Sequence, residues 1–314
     1  MRILVTGGLG FIGSNFITWM LNNEKNVEIL NIDRGDYCSN IFNVAPDQRY
    51  SYIKGDITDE FHMKTVFDFF KPEVVIHYAA QSHVDNSFSS PLQFTKDNIL
   101  GTHVLLHVSK EYNNLKKFIH MSTDEVYGEV ALDEISDEKS LLDPTNPYAA
   151  TKAGAEFIVR SYGHSFKFPY IIVRCNNVYG PKQYFEKLIP RFITNILAGK
   201  PCLLHGQGKS RRNFIYVDDV SEAMRIILQK GLTGHIYNIG TSDEYSVHDI
   251  FNILKEAINP AAMFEYAEDR PFNDSRYCID STELRKLGWK QEVSFEEGIK
   301  MTIECISTKS EQKQ

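Results

Sequence analysis

The sequence predicts an α/β fold, a doubly wound parallel sheet followed by a smaller mixed α/β region. Three observations lead there. Short apolar, β-favouring runs alternate with longer amphipathic ones through the first half of the chain. A glycine-rich turn, VTGGLGFIG, follows the first apolar run and opens the first amphipathic one. After about Cys175 the rhythm breaks into shorter elements punctuated by proline and glycine.

Taken in order, RILVTG, VEILNID, YSYIKGD, EVVIHYAA, KKFIHMS and YIIVRC read as strands. Between them, FIGSNFITWMLNN, DEFHMKTVFDFF, PLQFTKDNILGTHVLLHVSKEY and NPYAATKAGAEFIVRSYGHSF read as helices. Alternation of this kind implies βαβ units and a parallel sheet buried on both faces. Further helices are expected near residues 217–230, 246–258 and 294–306. The organisation expected is a sheet domain over residues 1–175 and a second region over 176–314, with the chain crossing back from the C-terminal half. The final STKSEQKQ reads as a polar tail.

Composition excludes several function classes. The chain has 314 residues, 42% hydrophobic and 24% charged, with a net charge of -7. That balance argues against nucleic acid as a partner and offers no basic face to a membrane. No run approaches the roughly 18 apolar residues of a membrane-spanning helix, and MRILVTGG lacks the apolar stretch of a secretory leader. Five scattered cysteines (Cys38, Cys175, Cys202, Cys278, Cys305) include no C-x-x-C, which favours reduced thiols and a cytoplasmic location over disulfides or zinc.

The glycine turn satisfies G-x-G-x-x-G through Gly8, Gly10 and Gly13, and a looser form through Gly7, Gly10 and Gly13. Such glycines allow close backbone approach to a pyrophosphate, which the next helix N-terminus favours electrostatically. Asp33 ends the following strand. A carboxylate there accepts from both ribose hydroxyls and repels a 2′-phosphate, so NAD is expected over NADP, although Arg34 beside it weakens the discrimination. Asp56 and Ile57 could flank the adenine. Tyr78, Ala79, Ala80 and Ser82 offer a strand end for the diphosphate to pass. Phe11, Ile12 and Asp97 complete the expected cofactor set, together with Tyr148 and Lys152. This is a Rossmann-type nucleotide site.

A second constellation begins where KKFIHM, an apolar strand, ends in Ser122, Thr123, Asp124 and Glu125. A cap or solvated turn would explain two adjacent carboxylates; so would an acid and a base aimed at one substrate. Downstream, Tyr148 and Lys152 lie four apart and share a helical face. A phenol with an unperturbed pKa near 10 is a poor base, and a neighbouring ammonium stabilises its anion.

With TGGLGFIG, HYAA, STDEVYG and YAATK on one chain, the sequence resembles the extended short-chain dehydrogenase/reductase superfamily, and STDEVYG resembles its nucleotide-sugar 4,6-dehydratases. SHVDNS, NVYGPKQYFEKLIP, RRNFIYVDDV, YNIG and DRPFNDSRY extend the likeness over nearly the whole chain. The resemblance implies dehydration of a nucleotide-diphosphate glucose, with thymine or uracil as the base, and a homodimer pairing the helices around 91–111 and 147–166. Ile99, Val104, Leu105, Phe157 and Ile158 put apolar residues on more than one side of those helices. It further implies Tyr148 as base for the 4-hydroxyl, aided by Lys152 and Thr123, Glu125 as base for the C5 hydrogen, and Asp124 as acid for the departing 6-hydroxyl. Substrate contacts are implied for Ser82, Thr123, Asn177, Lys187, Leu188, Leu203, His205, Arg212, Arg270 and Asn273.

The chemistry demands these residue types independently. The C5 hydrogen of a hexose becomes acidic only once C4 is a ketone, so oxidation must precede loss of water and the hydride must return to C6. An adjacent charge and burial would keep Asp124 protonated for its task. Val178, Phe185 and Asn273 depart from the family pattern and leave the nucleotide base open. An epimerase or decarboxylase of the same superfamily would have no use for Asp124 and Glu125, and a non-enzymatic relative would usually have lost Tyr148 or Lys152. His103 and His107, four apart on a helix, have metal-binding spacing but no third ligand in view. The many aromatics read as core.

Overall fold

The computed structural model describes residues 1–242, 244–268 and 274–311. Six strands, β1 (Arg2–Thr6), β2 (Glu28–Asp33), β3 (Tyr50–Lys54), β4 (Val74–His77), β5 (Lys117–Thr123) and β6 (Tyr170–Cys175), alternate with helices except between β2 and β3. The helices are α1 (Phe11–Asn23), α2 (Glu60–Phe70), α3 (Val84–Ser89), α4 (Pro91–Phe94), α5 (Gly101–Tyr112) and α6 (Pro147–Phe166). The second half adds β7 (Asn177–Tyr179), α7 (Leu188–Leu197), β8 (Cys202–Leu204), β9 (Arg211–Tyr216), α8 (Val217–Lys230), β10 (His235–Ile239), β11 (Glu244–Ser246), α9 (Val247–Ile258), β12 (Phe264–Tyr266), α10 (Thr282–Lys286) and α11 (Phe295–Glu311).

Seven strands form one sheet in the order β10-β6-β5-β4-β1-β2-β3, every neighbouring pair parallel. Both faces are apolar, which is why the strands read as continuous hydrophobic runs. Ile3, Val5, Ile76 and Val173 face Phe16 and Ile17 of α1 and Val220 and Met224 of α8. Leu4, Val75, Phe118 and Ile172 face Met63 and Phe67 of α2, Leu105 of α5 and Val159 of α6. Burial of each such side chain contributes about 1.5–3 kcal/mol.

The stretch 91–112, expected as a single helix, is interrupted by a π-helical turn over Thr95–Leu100. Both Asp97 and Asn98 are buried there. Asn98 Nδ2 donates to the carbonyl of Gln81 and to Thr151 Oγ1, tying this wide turn to the end of β4 and to α6. Turns of this kind concentrate at functional sites.

The crossing back of the chain is made by α8 and β10. α8 packs beside α1, and β10 pairs with β6 at the sheet edge. Residues 217–239 therefore belong to the large sheet. The smaller region contains a three-stranded sheet (β11-β9-β7) and a two-stranded one (β12-β8). Its separate core gathers Tyr179, Phe192, Phe214, Phe251 and Phe295.

Candidate active site

A cleft of about 440 Å³ runs across the carboxyl ends of β1, β2, β4, β5 and β6 and continues to β7 and β9. It passes the point where strand order reverses between β1 and β4, where open sheets of this type bind ligands.

At one end lies the glycine turn. Gly7 has φ +75°, and a Cβ there would stand 2.6 Å from the Ala79 nitrogen. A Cβ on Gly13 would stand 2.6 Å from the Gly7 carbonyl oxygen. Only hydrogen fits at either position, so the turn lies tight between β4 and α1 and presents the N-terminus of α1 to the cleft. Asp33, 7% exposed, accepts from Leu9 N, Gly35 N and Ser39 Oγ. This cradle and carboxylate fit the diphosphate and ribose of a dinucleotide. Every residue of the expected cofactor set, from Gly7 through Asp97 to Tyr148 and Lys152, lines this one cleft.

Arg34 is not a free cation in that wall. Its guanidinium donates to both carboxylate oxygens of Asp97 at 2.9 and 2.6 Å, to Asp36 at 2.7 Å and to Asp56 at 3.3 Å. Three carboxylates thus neutralise Arg34 where it lines the cleft, and Asp97 holds it bidentately.

At the middle of the cleft, β5 ends in Thr123 and enters a short turn over Asp124–Tyr127. Thr123 caps that turn by accepting from Glu125 N, so the carboxylates do not cap it. Glu125 Oε2 accepts from Asn146 Nδ2 at 3.0 Å. Asp124, 2% exposed, accepts from Asn176 Nδ2 at 2.8 Å and from Thr123 Oγ1 at 3.2 Å. Burial, reinforced by the Glu125 charge, pushes the Asp124 carboxyl up to about 7. Burial also raises Glu125, against the opposing effects of Asn146, Arg212 and Lys187.

Tyr148 and Lys152 of α6 face the same point, 8% and 5% exposed. Burial holds the Lys152 ammonium down, to about 8, and its Nζ donates to the Met121 carbonyl at 2.6 Å. Burial and the Glu125 charge raise the Tyr148 phenol above its ordinary value, while the Thr123 hydroxyl opposes. Lys152 is thus aimed first at β5. Thr123, Glu125, Tyr148 and Lys152 line the cleft directly; Asp124 is reached through Thr123 and Asn176, which line it.

Toward the smaller region, Ser82, Asn177, Lys187, Leu188 and Arg212 line the cleft. Lys187 precedes α7 as its N-cap residue, and its Nζ donates to the Ser82 carbonyl at 2.8 Å. Arg212 donates to the carbonyls of Arg211 and Asp274 and lies 4.5 Å from the centre of the Tyr277 ring. Leu203 is 44% exposed on β8, and His205 Nδ1 lies 2.7 Å from the Glu268 carbonyl; among the described residues neither reaches the cleft. Arg270 and Asn273 lie outside the described residues. His103 packs edge-on against Tyr162, 5.7 Å between centroids. His107 stands with the exposed Glu60 and Glu111, whose charges Lys64 already bridges.

Asn146 and Asn176 have no place in the expected site, although both hold its carboxylates. Asn146 carries a legible signal, because an Asn-Pro pair before an apolar run marks a helix N-cap. Asn176 carries none.

A doubly wound fold with a dinucleotide cradle, a Tyr/Lys pair and two carboxylates defines a nucleotide-dependent enzyme of the short-chain dehydrogenase/reductase type. The family model described as GDP-mannose 4,6 dehydratase matches residues 4–302. The chain is 46% identical to the dTDP-D-glucose 4,6-dehydratase of Mus musculus, over 96% of this chain and 88% of that one. It is 44% identical to a trifunctional UDP-glucose 4,6-dehydratase/3,5-epimerase/reductase of Arabidopsis thaliana, over 99% of this chain and 48% of that longer one. The solved dTDP-glucose 4,6-dehydratase of Streptomyces venezuelae, with NAD bound, superposes with a TM-score of 0.95 at 35% identity, covering 99% and 98% of the two chains. The chain belongs to the nucleotide-sugar 4,6-dehydratases of the extended short-chain dehydrogenase/reductase superfamily.

Proposed function

We propose that the protein converts a nucleotide-diphosphate glucose, carrying thymine or uracil, into the 4-keto-6-deoxy sugar. The observation that carries this reading is the convergence of Tyr148, Glu125 and, through Thr123, Asp124 on one cleft. NAD, when bound, supplies the hydride acceptor for oxidation at C4 and the donor that restores a hydride to C6.

Tyr148 deprotonates the 4-hydroxyl, with Thr123 hydrogen-bonded to the same oxygen and Lys152 holding the ribose side. Glu125 removes the C5 proton once the ketone acidifies it. Asp124, kept neutral by burial, gives its proton to the 6-oxygen as the C6–O bond breaks. Arg212 and Lys187, in a protein of net charge -7, provide the local positive charge that a diphosphate needs. Asp33 and the neutralised Arg34 favour NAD. Incubation with dTDP-glucose and UDP-glucose in parallel, read by the alkali-induced absorbance of the 4-keto-6-deoxy product, tests the reading. Absence of that product from both sugars contradicts it.

The reading includes a homodimer. Its support is Leu100 and Phe157, 48% and 55% exposed at the π-helical turn and on α6. A monomer in light scattering at micromolar concentration contradicts it. A reducing, cytoplasmic location fits the five cysteines, all free thiols.

A further inference from the structure

We infer that Asn176 is a positioning residue that fixes which oxygen of Asp124 carries the transferable proton, resting on the dehydratase reading above. Asn176 is 3% exposed and follows β6, and its main-chain N–H donates to the Ile239 carbonyl of β10 at 3.0 Å. Its side-chain Oδ1 accepts from the backbone N–H of Thr241 at 3.1 Å. A backbone nitrogen can only donate, so the carboxamide has one orientation, with Nδ2 toward Asp124. Gly240 enforces the fit, because a Cβ there would lie 2.2 Å from Asn176 Oδ1.

The consequence falls on Asp124. Oδ2 faces the Asn176 donor at 2.8 Å and acts as the carbonyl oxygen of the neutral acid. The proton is left on Oδ1, 3.2 Å from Thr123 Oγ1 and on the side where Thr123 lines the cleft. The Thr123 hydroxyl donates to the ionised carboxylate and rotates away when Oδ1 is protonated, which the fixed Asn176 amide cannot do. In the elimination the electrons of the C5–H bond form the C5–C6 double bond. The C6–O bond breaks, and the departing oxygen takes this proton to leave as water. A free carboxyl would divide its proton between two oxygens, only one of them on the Thr123 side.

The Asn176 donor also stabilises the ionised form of Asp124 and therefore limits how far burial raises the carboxyl. The other groups acting there are Glu125 beside it, Arg212 from β9, Tyr148 from α6, Cys175 from β6 and Cys278 ahead of α10. None of them combines a fixed donor with a contact to Oδ2.

The test uses the NAD-loaded enzyme and two variants. Asn176→Asp keeps the shape and an acceptor for Thr241 but sets a second carboxyl against Asp124. Asn176→Ala removes the donor. Both are expected to move the alkaline limb of the kcat profile to higher pH, by about one unit or more in Asn176→Asp. Both should slow dehydration by at least about tenfold while the single-turnover NADH absorbance still forms. An unmoved limb, with oxidation and dehydration reduced by one common factor, overturns the inference. A wild-type measurement covers the case in which neither variant folds. The infrared C=O band of protonated Asp124, assigned by its loss in Asp124→Asn, should be single; two bands, one for each protonated oxygen, overturn the inference. If wild type makes no 4-keto-6-deoxy product, the proposed function itself fails; if it turns over while the limb stays fixed, only the role of Asn176 does.

Discussion

Asn146 donates through Nδ2 to Glu125 at 3.0 Å while its own Oδ1 accepts from Ala149 N and caps α6. Glu125, the proposed C5 base, is thereby tied to the helix that carries Tyr148 and Lys152. Asn146→Ala should therefore do two separable things. Loss of the cap costs about 1 kcal/mol of stability, read by denaturant unfolding. Loss of the tether leaves Glu125 misplaced, so exchange of the C5 hydrogen with solvent deuterium should fall by about tenfold or more. Asn146→Asp restores the cap and not the donor, and should recover stability alone.

The buried Asp124 makes stability depend on pH in a stated direction. Its folded value is raised from 3.8 to about 7. The native state therefore binds that proton more strongly than the unfolded chain, and this group's contribution falls as pH rises from about 4 to about 7. Full ionisation costs on the order of 4 kcal/mol. Asp124→Asn should thus melt several degrees above wild type at about pH 8.5 and show little difference near pH 4. Equal melting temperatures at both pH values would remove the strain assigned to the carboxylate.

Cofactor choice should turn on Asp97 as well as Asp33. Asp97 holds the Arg34 guanidinium bidentately, at 2.6 and 2.9 Å. Asp97→Asn removes the bidentate partner and leaves Arg34 with Asp36 and Asp56 alone, so the ratio of NADP to NAD dissociation constants should fall, by up to about tenfold, as measured by calorimetry. Asp33→Ser should weaken NAD more than NADP. Equal losses of both would take Asp33 off the ribose.

The large sheet was legible because β1, β4, β5 and β6 read as apolar runs set between amphipathic helices, so periodicity and topology agree; β3, half-buried, follows β2 without an α-helix. β10 was not, because HIYNI carries no mark of the sheet it joins; its place is decided by α8 packing beside α1. The π-helical turn was hidden for a related reason. Its residues, TKDNIL, form ordinary helix unless Asp97 and Asn98 find buried partners in Arg34 and Gln81. In the site, type and spacing named Thr123, Glu125, Tyr148 and Lys152, which line one cleft. They did not name the residues that hold others in place. Asn176 meets Asp124 only because β5, β6 and β10 are neighbours in the sheet. Leu203 and His205, named from a family loop, lie on β8 and the turn after it, outside the residues that line the cleft.

The central claim is that oxidation and elimination are driven by different side chains meeting at Thr123. One experiment separates them: single turnover of the NAD-loaded enzyme with its sugar nucleotide, following NADH absorbance and product together in Tyr148→Phe, Asp124→Asn and Glu125→Gln. Tyr148→Phe should lose both signals, because nothing deprotonates the 4-hydroxyl. Asp124→Asn should accumulate NADH while water loss slows by about 10²–10⁴-fold, and Glu125→Gln should also suppress solvent exchange at C5. Near-normal dehydration in both carboxylate variants would contradict the account and make the pair structural.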